Sequence, residues 1–327
     1  MRSPTLAFGV VLLAALGLLA AAAPWIAPYD PDEQLDPVAA AQRPPGTDLA
    51  AIALRRGGWL LADSVRRTPG GLEFERLGAR ATLAAAEVAN LTPDGVADRR
   101  HYLLGTDKFG RDLLSRLLHG ARVSLAVAGL AVALALTLGI AVGSLAALGG
   151  PVLDAILMRA VDALLAFPDL FLLIALAALF KPSDTLLVLV LGLISWTGLA
   201  RIVRAQLLGL KKRGFVLAAR GLGRSWPAIW ADHLLPNALG PILVQTALLA
   251  GRMILIESAL SFLGLGIQPP RSSWGNMISD GQAQLASAWW IATFPGVALS
   301  LAVISFHLVG DGLRDAGDPR LRPAARA

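Results

Sequence analysis

The chain contains no cysteine, which excludes a disulfide framework, cysteinyl zinc or iron–sulfur ligation and thiol catalysis. Four histidines leave little material for a metal cage, and only 16% of the 327 residues are charged. No Gly-Lys pair occurs, so the phosphate-cradling G-x-x-x-x-G-K-[ST] loop is missing and ATP hydrolysis would have to come from another chain. The excess lies in apolar residues: 55% of the chain is hydrophobic and the mean hydropathy is +0.62, which argues against a soluble globular enzyme.

Uncharged stretches long enough to cross a bilayer recur between short polar connections. Ser3 to Tyr29, Val123 to Leu153 and Gly281 to Gly310 carry no Asp, Glu, Lys or Arg, and Leu234 to Pro270 carries only Arg252 and Glu257. Six spans are expected, at about 6–26, 121–147, 156–180, 185–207, 236–262 and 287–311. Helices are required, because hydrocarbon offers no partner to bare backbone and the long runs lack the alternation of a barrel. The first span is read as a retained helix, 1–28, rather than a cleaved leader, since Pro24 follows the small Ala21-Ala22-Ala23 run directly.

The net charge of +6 is local, which argues against nucleic acid as its partner. Arg201 to Leu235 holds Arg201, Arg204, Lys211, Lys212, Arg213, Arg220 and Arg224 against the single acid Asp232. The neighbouring connections hold only Lys181 and Arg271, so the basic connection and both termini are expected in the cytoplasm. Residues 29–118 then form an extracytoplasmic segment. Within it Trp59–Val65 and Leu72–Leu77 read as two strands around the turn Thr68-Pro69-Gly70-Gly71.

The basic connection repeats apolar residues at helical steps: Phe215, Ala218, Ala219, Leu222, Trp226, Ile229 and Trp230. Gly221 and Gly223 can end one short helix, Ser225 can cap the next with Pro227 in its first turn, and Pro236 marks entry to the following span. On pattern alone this elbow could equally lie on anionic lipid.

Its wording favours a protein partner. Leu217-Ala218-Ala219, three residues, Gly223, nine residues, then His233-Leu234-Leu235-Pro236 resembles the cytoplasmic loop motif of ABC importer permeases, E-A-A-x3-G-x9-I-x-L-P, with Leu217 and His233 departing from it. The resemblance extends to the peptide/nickel branch and its C-type subunits, similar to those of dipeptide and oligopeptide importers. It runs through Gly105-Thr106-Asp107, Gly110-Arg111-Asp112, Gly120 to Leu125, Ala166-Phe167-Pro168, Leu260 to Gly266 and Ser273-Trp274-Gly275.

The family implies an all-α polytopic membrane protein of about six transmembrane helices with type I ABC importer permease architecture. Residues 119–327 would be the core permease domain, with coupling helices at about 211–235, and an extracytoplasmic insertion would follow the first helix. It implies a second permease subunit, two ATPases carrying ATP-Mg, an extracytoplasmic solute-binding protein and a bacterial inner-membrane location. No cofactor, catalytic residue or metal site is expected on this chain.

Phe215, Leu217, Ala218, Ala219, Gly223, Leu235 and Pro236 would then couple to an ATPase, the small residues allowing close approach. Gly105, Thr106, Asp107, Gly110, Arg111 and Asp112 would lie where the binding protein docks. Arg252 and Glu257, charged within the fifth span, are candidates for the pathway or the permease–permease contact. Arg159 and Asp162 stand at a pairing distance along a helix. Two other functions are open to the sequence: a secondary transporter driven by an ion gradient, with little beyond Arg252 and Glu257 to support it, and an intramembrane hydrolase using Ser258 or Ser261 with His307.

Overall fold

The computed structural model describes residues 4–89, 98–181 and 183–317. In order these form α1 (Pro4–Ile26), α2 (Pro37–Ala40), strands β1 (Thr47–Ala53), β2 (Trp59–Ala62), β3 (Ser64–Thr68), β4 (Gly71–Arg76), β5 (Ala79–Ala84) and β6 (Asp98–Tyr102). Then follow α3 (Leu113–Leu148), α4 (Pro151–Leu165), α5 (Asp169–Leu179), α6 (Asp184–Leu210), α7 (Gly214–Gly221), α8 (Trp226–Ile229), α9 (Leu235–Phe262), α10 (Trp274–Gln282) and α11 (Trp290–Gly317). The chain divides into two compact units, one holding 124–268 with the ends of the chain, the other 19–123 and 269–298.

Among the described residues five helical runs are long and apolar enough to cross a membrane: Pro4–Ile26, Leu113–Leu148, Asp184–Leu210, Trp226–Phe262 and Trp290–Gly317. The span expected over 156–180 is instead two helices, α4 and α5, parted at Ala166–Pro168. The cause is local. Pro168 has no N–H to donate and disfavours helical geometry at Phe167, so one helix stops and the next starts at its far side.

In the first unit α3 lies against α6 at the small residues Gly139 and Gly143. A methyl at Gly139 would come within 2.6 Å of Leu199 Cβ, and one at Gly143 within 2.6 Å of the Ala200 carbonyl, so the absence of a side chain sets how closely these helices approach. α4 is tied to α6 by two ion pairs, Arg204 to Asp154 at 2.5 Å and Arg201 to Asp162. Asp162 thus pairs across helices with Arg201 and not with Arg159 on its own helix, because the long Arg201 side chain reaches it from the packed neighbour.

The insertion carries more strands than the two that the sequence predicts, within a chain that is otherwise mostly helical. Among the described residues six strands form two antiparallel sheets, ordered β2-β1-β6 and β3-β4-β5. The strand expected over Trp59–Val65 is divided at Asp63: β2 pairs with β1, whereas β3 pairs with β4 through the two-residue Pro69-Gly70 loop. β4 and β5 are joined by Leu77-Gly78, both at positive φ (53° and 79°), the twist a two-residue hairpin requires. β1 is buried on both faces, with Leu49 and Ala51 against Ala39, Ala40, Leu61 and Tyr102, and Ile52 against Ala62, Leu72, Phe74 and Val88.

Asp36 pins this arrangement. Its carboxylate caps α2 through Ala39 N (3.1 Å), accepts from Leu61 N (3.1 Å) and takes a forked bond from Arg76 at 2.8–3.2 Å. Burial alone would raise its pKa, but the bonds from Arg76, Leu61 and Ala39 outweigh that and hold it below the ordinary carboxylate value of 3.8. A depressed folded pKa means that the stabilisation is complete above the unfolded pKa and is lost as pH falls through the folded one. Protection of the β1, β2 and β4 amides, relative to their intrinsic exchange at each pH, should therefore fall below about pH 4 in the wild type. In Asp36→Asn the same strands should exchange faster already at neutral pH, with no further step on acidification; a wild-type acid step persisting in that variant would contradict the assignment.

Candidate functional site

The basic connection folds as an elbow. Arg213 opens α7 in extended geometry, and the helix ends in a paired C-terminal motif: Gly223 N–H donates to Arg220 O (2.9 Å) and Arg224 N–H to Ala219 O (3.1 Å). Gly223 sits at φ +82°, a conformation costly to any residue with a Cβ, while nothing lies within 4 Å of where that Cβ would be. The motif glycine therefore serves the turn rather than a close approach within this chain.

Ser225 then precedes α8 with Pro227 in its first turn, although the Ser225 side chain makes no capping bond. Trp230–Leu234 is a π-helical turn, with Leu235 N–H donating to Trp230 O, and α9 continues from it. Pro236 lacks an N–H, so widening the preceding turn lets the helix run through it without a break. Trp226–Phe262 is in consequence one helical run, and Pro236 lies inside it rather than at its start.

The two sides of α7 differ. Val216 (0% exposed) and Ala219 (8%) join Val203, Leu207, Ile229, Leu234 and Ala238 in the unit's own core. Phe215, Leu217, Ala218 and Leu222 face outward, and Leu222 is 87% exposed at the tip. Of the adjacent alanines, Ala218 is thus available to a partner and Ala219 is spent on internal packing.

Several contacts stiffen the elbow. Lys211 and Arg220 lie over the Trp226 ring at 4.7 and 4.6 Å, Trp230 Nε1 donates to Ser144 Oγ at 2.9 Å, Lys211 Nζ reaches Ala147 O at 3.2 Å, and Arg224 pairs with Asp232. Lys212 and Arg213 stay exposed beside the outward apolar face. Leu235 packs on the core from its edge.

The outer string Gly105–Asp112 is a knot of buried groups. Gly105, Thr106, Asp107, Gly110, Arg111 and Asp112 are all buried, leaving Phe109 exposed and Lys108 partly so. Asp107 accepts from Phe109 N (2.8 Å), Arg111 N (3.0 Å) and Arg111 Nε (2.6 Å), and lies 3.4 Å from Arg116 Nε. Arg116 also reaches Asp32 and the Pro31 carbonyl at 3.0 Å, and Asp280 pairs with Lys108 at 2.8 Å. Thr106 takes Arg43 N at 2.8 Å and gives its carbonyl to Trp290 Nε1 at 3.2 Å. Asp112 caps α3 through Ser115; burial, with Asp107 nearby, raises its pKa despite those bonds. Trp290 is 6% exposed and held in this knot, while the adjacent Trp289 is exposed.

Arg252 is exposed and Glu257 fully buried. Glu257 accepts from Ser261 Oγ (2.8 Å) and Ser258 Oγ (3.3 Å), and Ser261 Oγ in turn accepts from Ile267 N (3.0 Å). These serines are directed to Glu257, while His307 Nδ1 donates to Val303 O at 2.9 Å on its own helix, so the structure does not assemble a serine–histidine pair. Neither Glu257's role as the anchor of the 263–267 turn nor the knot's contact with Asp280 had a local sequence signal.

A family model described as the inner membrane component of binding-protein-dependent transport systems matches residues 139–323, and one for the N-terminal transmembrane domain of oligopeptide transport permease C matches 1–45. The chain belongs to this permease family. It is 34% identical over 317 residues to the di/tripeptide transport system permease protein DppC of Pseudomonas aeruginosa (strain UCBPP-PA14), covering 97% of this chain and 88% of that one. It is 44% identical over 218 residues to a putative peptide permease protein of Brucella suis biovar 1 (strain 1330), covering 66% and 72%. Among solved structures, inward-facing conformations of the MetNI methionine ABC transporter share the fold, with a TM-score of 0.54 at 18% identity over 63% of this chain and 98% of the other.

The permease is a multi-pass inner-membrane protein and the transmembrane subunit of an ABC importer. The family works with ATPase and solute-binding protein partners.

Proposed function

We propose that this permease is the C-type subunit of a peptide importer, paired with a different permease chain, its elbow seated on an ATPase in the cytoplasm and both termini on that side. ATP-Mg is bound by the two partner ATPases and not by this chain, and neither nucleic acid nor a metal takes part. The observation that carries this reading is the outward face of α7, where Phe215, Leu217, Ala218 and Leu222 stand uncovered among cations. The excess of Lys and Arg in Arg201–Leu235 supports its cytoplasmic placement, and the names of the relatives support peptides as cargo.

Mechanically, the elbow is a rigid handle. α7 is fastened to α6, α8 and α9 through one shared core, so a push on its outer face is delivered to the spans as a rigid-body shift between packed states. On the outer side the buried knot acts as a scaffold, and a docking binding protein would touch Phe109 and Lys108 in front of it. Arg252, exposed on α9, is a candidate for contact with the pathway or the partner permease.

Copurification with the native partners, followed by ATP turnover with binding protein and a panel of solutes, tests this. Stimulation by di- or oligopeptides is expected; stimulation by a nickel chelate alone would overturn the cargo, and failure of any ATPase to copurify would overturn the seating.

A further inference from the structure

The sheet β3-β4-β5 of the insertion has one apolar and one charged face. Pairing register puts Ser64, Glu75 and Arg80 in one cross-strand row and Arg66, Glu73 and Thr82 in the next. The alternate residues Phe74, Leu72 and Leu83 turn to the other face, where they meet the core around Ile52. A cleft of about 320 Å³ opens over Ser64, Arg66, Glu73, Glu75 and Arg80, with Val65 and Phe74 also in its wall, a size suited to a small ligand. Its charges are balanced, two arginines and two glutamates, and among the described residues none of the four takes part in an ion pair.

We infer that this cleft is a binding site for a short zwitterionic peptide, separate from the transport pathway. The backbone of the central strand β4 is paired on both edges, so over it recognition falls to the side chains. A dianion would meet Glu73 and Glu75, and a dication Arg66 and Arg80; a ligand carrying one charge of each sign satisfies both kinds. The two rows lie two residues apart along the strands, about 7 Å, and the charged ends of an extended dipeptide are separated by about as much. Either diagonal, Arg66 with Glu75 or Arg80 with Glu73, offers a guanidinium fork for the carboxylate and a carboxylate for the ammonium at that separation. The choice of a peptide among zwitterions rests on the peptide-importer reading.

The test uses the full chain in lipid nanodiscs without partners, titrated with Ala-Ala, its C-terminal amide and its N-acetyl derivative. Wild-type protein should bind Ala-Ala about tenfold more tightly than either blocked form. The double variant Arg66→Gln/Arg80→Gln should lose the preference over the amide, and Glu73→Gln/Glu75→Gln the preference over the acetylated form, each with unchanged monodispersity. These side chains lie on the solvent side of the sheet, so folding is not at stake. Equal binding of free and blocked peptides, or of Ala-Ala by wild type and both doubles, would overturn the site. ATP-driven peptide uptake by the intact complex is measured in parallel: uptake without the cleft preference rejects the cleft alone, and the cleft preference without peptide uptake rejects the importer reading.

Discussion

Leu222→Asp should cut ATP-dependent uptake by about a hundredfold while leaving the chain's expression, membrane insertion and thermal melting as in the wild type. Leu222 is 87% exposed in the isolated chain, so the change removes no internal contact. The penalty arises only when a partner covers the tip and strands a carboxylate against apolar surface. Ala218→Trp should act alike by wedging the partner away from α7. Ala219→Trp and any residue but glycine at Gly223 are poorer probes, since the first overpacks the unit's own core and the second forces a Cβ into φ +82°. Uptake and ATP turnover are compared with and without binding protein. Wild-type coupling in both Leu222→Asp and Ala218→Trp would show that this face has no partner and would favour a lipid-facing elbow.

Asp107→Ala should be the most damaging single change on the outer side, costing about 3–5 kcal/mol. It leaves Arg111 and Arg116, both nearly fully buried, without their shared carboxylate and removes the acceptor that shapes the Phe109–Arg111 turn. The loss should appear as a lowered melting temperature in detergent and as protease cleavage around 105–112. Asp107→Asn should recover part of the loss, because the amide oxygen still accepts from the backbone while the charge is gone. An unchanged melting temperature for Asp107→Ala would mean that the knot is not held by this carboxylate.

The parts legible from sequence were those whose physics is local. Long uncharged runs declared the membrane helices, Gly223 and Pro227 declared the bend of the elbow, and Pro168, visible within the third expected span, was enough to split it once its effect on Phe167 is counted. Which alanine faces out was not legible. α7 is apolar on both sides, and only the positions of Val203 and Leu207 decide that Ala219 turns in and Ala218 out. The insertion escaped for a related reason: β1, Thr47–Ala53, is buried on both faces and rich in alanine, so it shows neither alternation nor strong strand preference.

The family resemblance puts the outer string on the docking face, and its residues by themselves suggest only a capped turn leading into a helix; neither foretells the burial found there. Asp107 and Arg111 do stand four apart and pair, but their burial is imposed by Thr106, Trp290 and Asp280, which no local pattern connects. The same holds for Asp36, whose partner Arg76 lies 40 residues away.

The central claim is that a separate nucleotide-hydrolysing subunit drives this permease through its elbow, and uptake into sealed liposomes tests it most directly. The chain is reconstituted with its second permease, with or without the ATPases, in the presence of binding protein and labelled peptide. Accumulation should require both the ATPases and ATP, and should be indifferent to collapsing ion gradients with an ionophore. Accumulation without the ATPases, or uptake that an ionophore abolishes, would contradict the account.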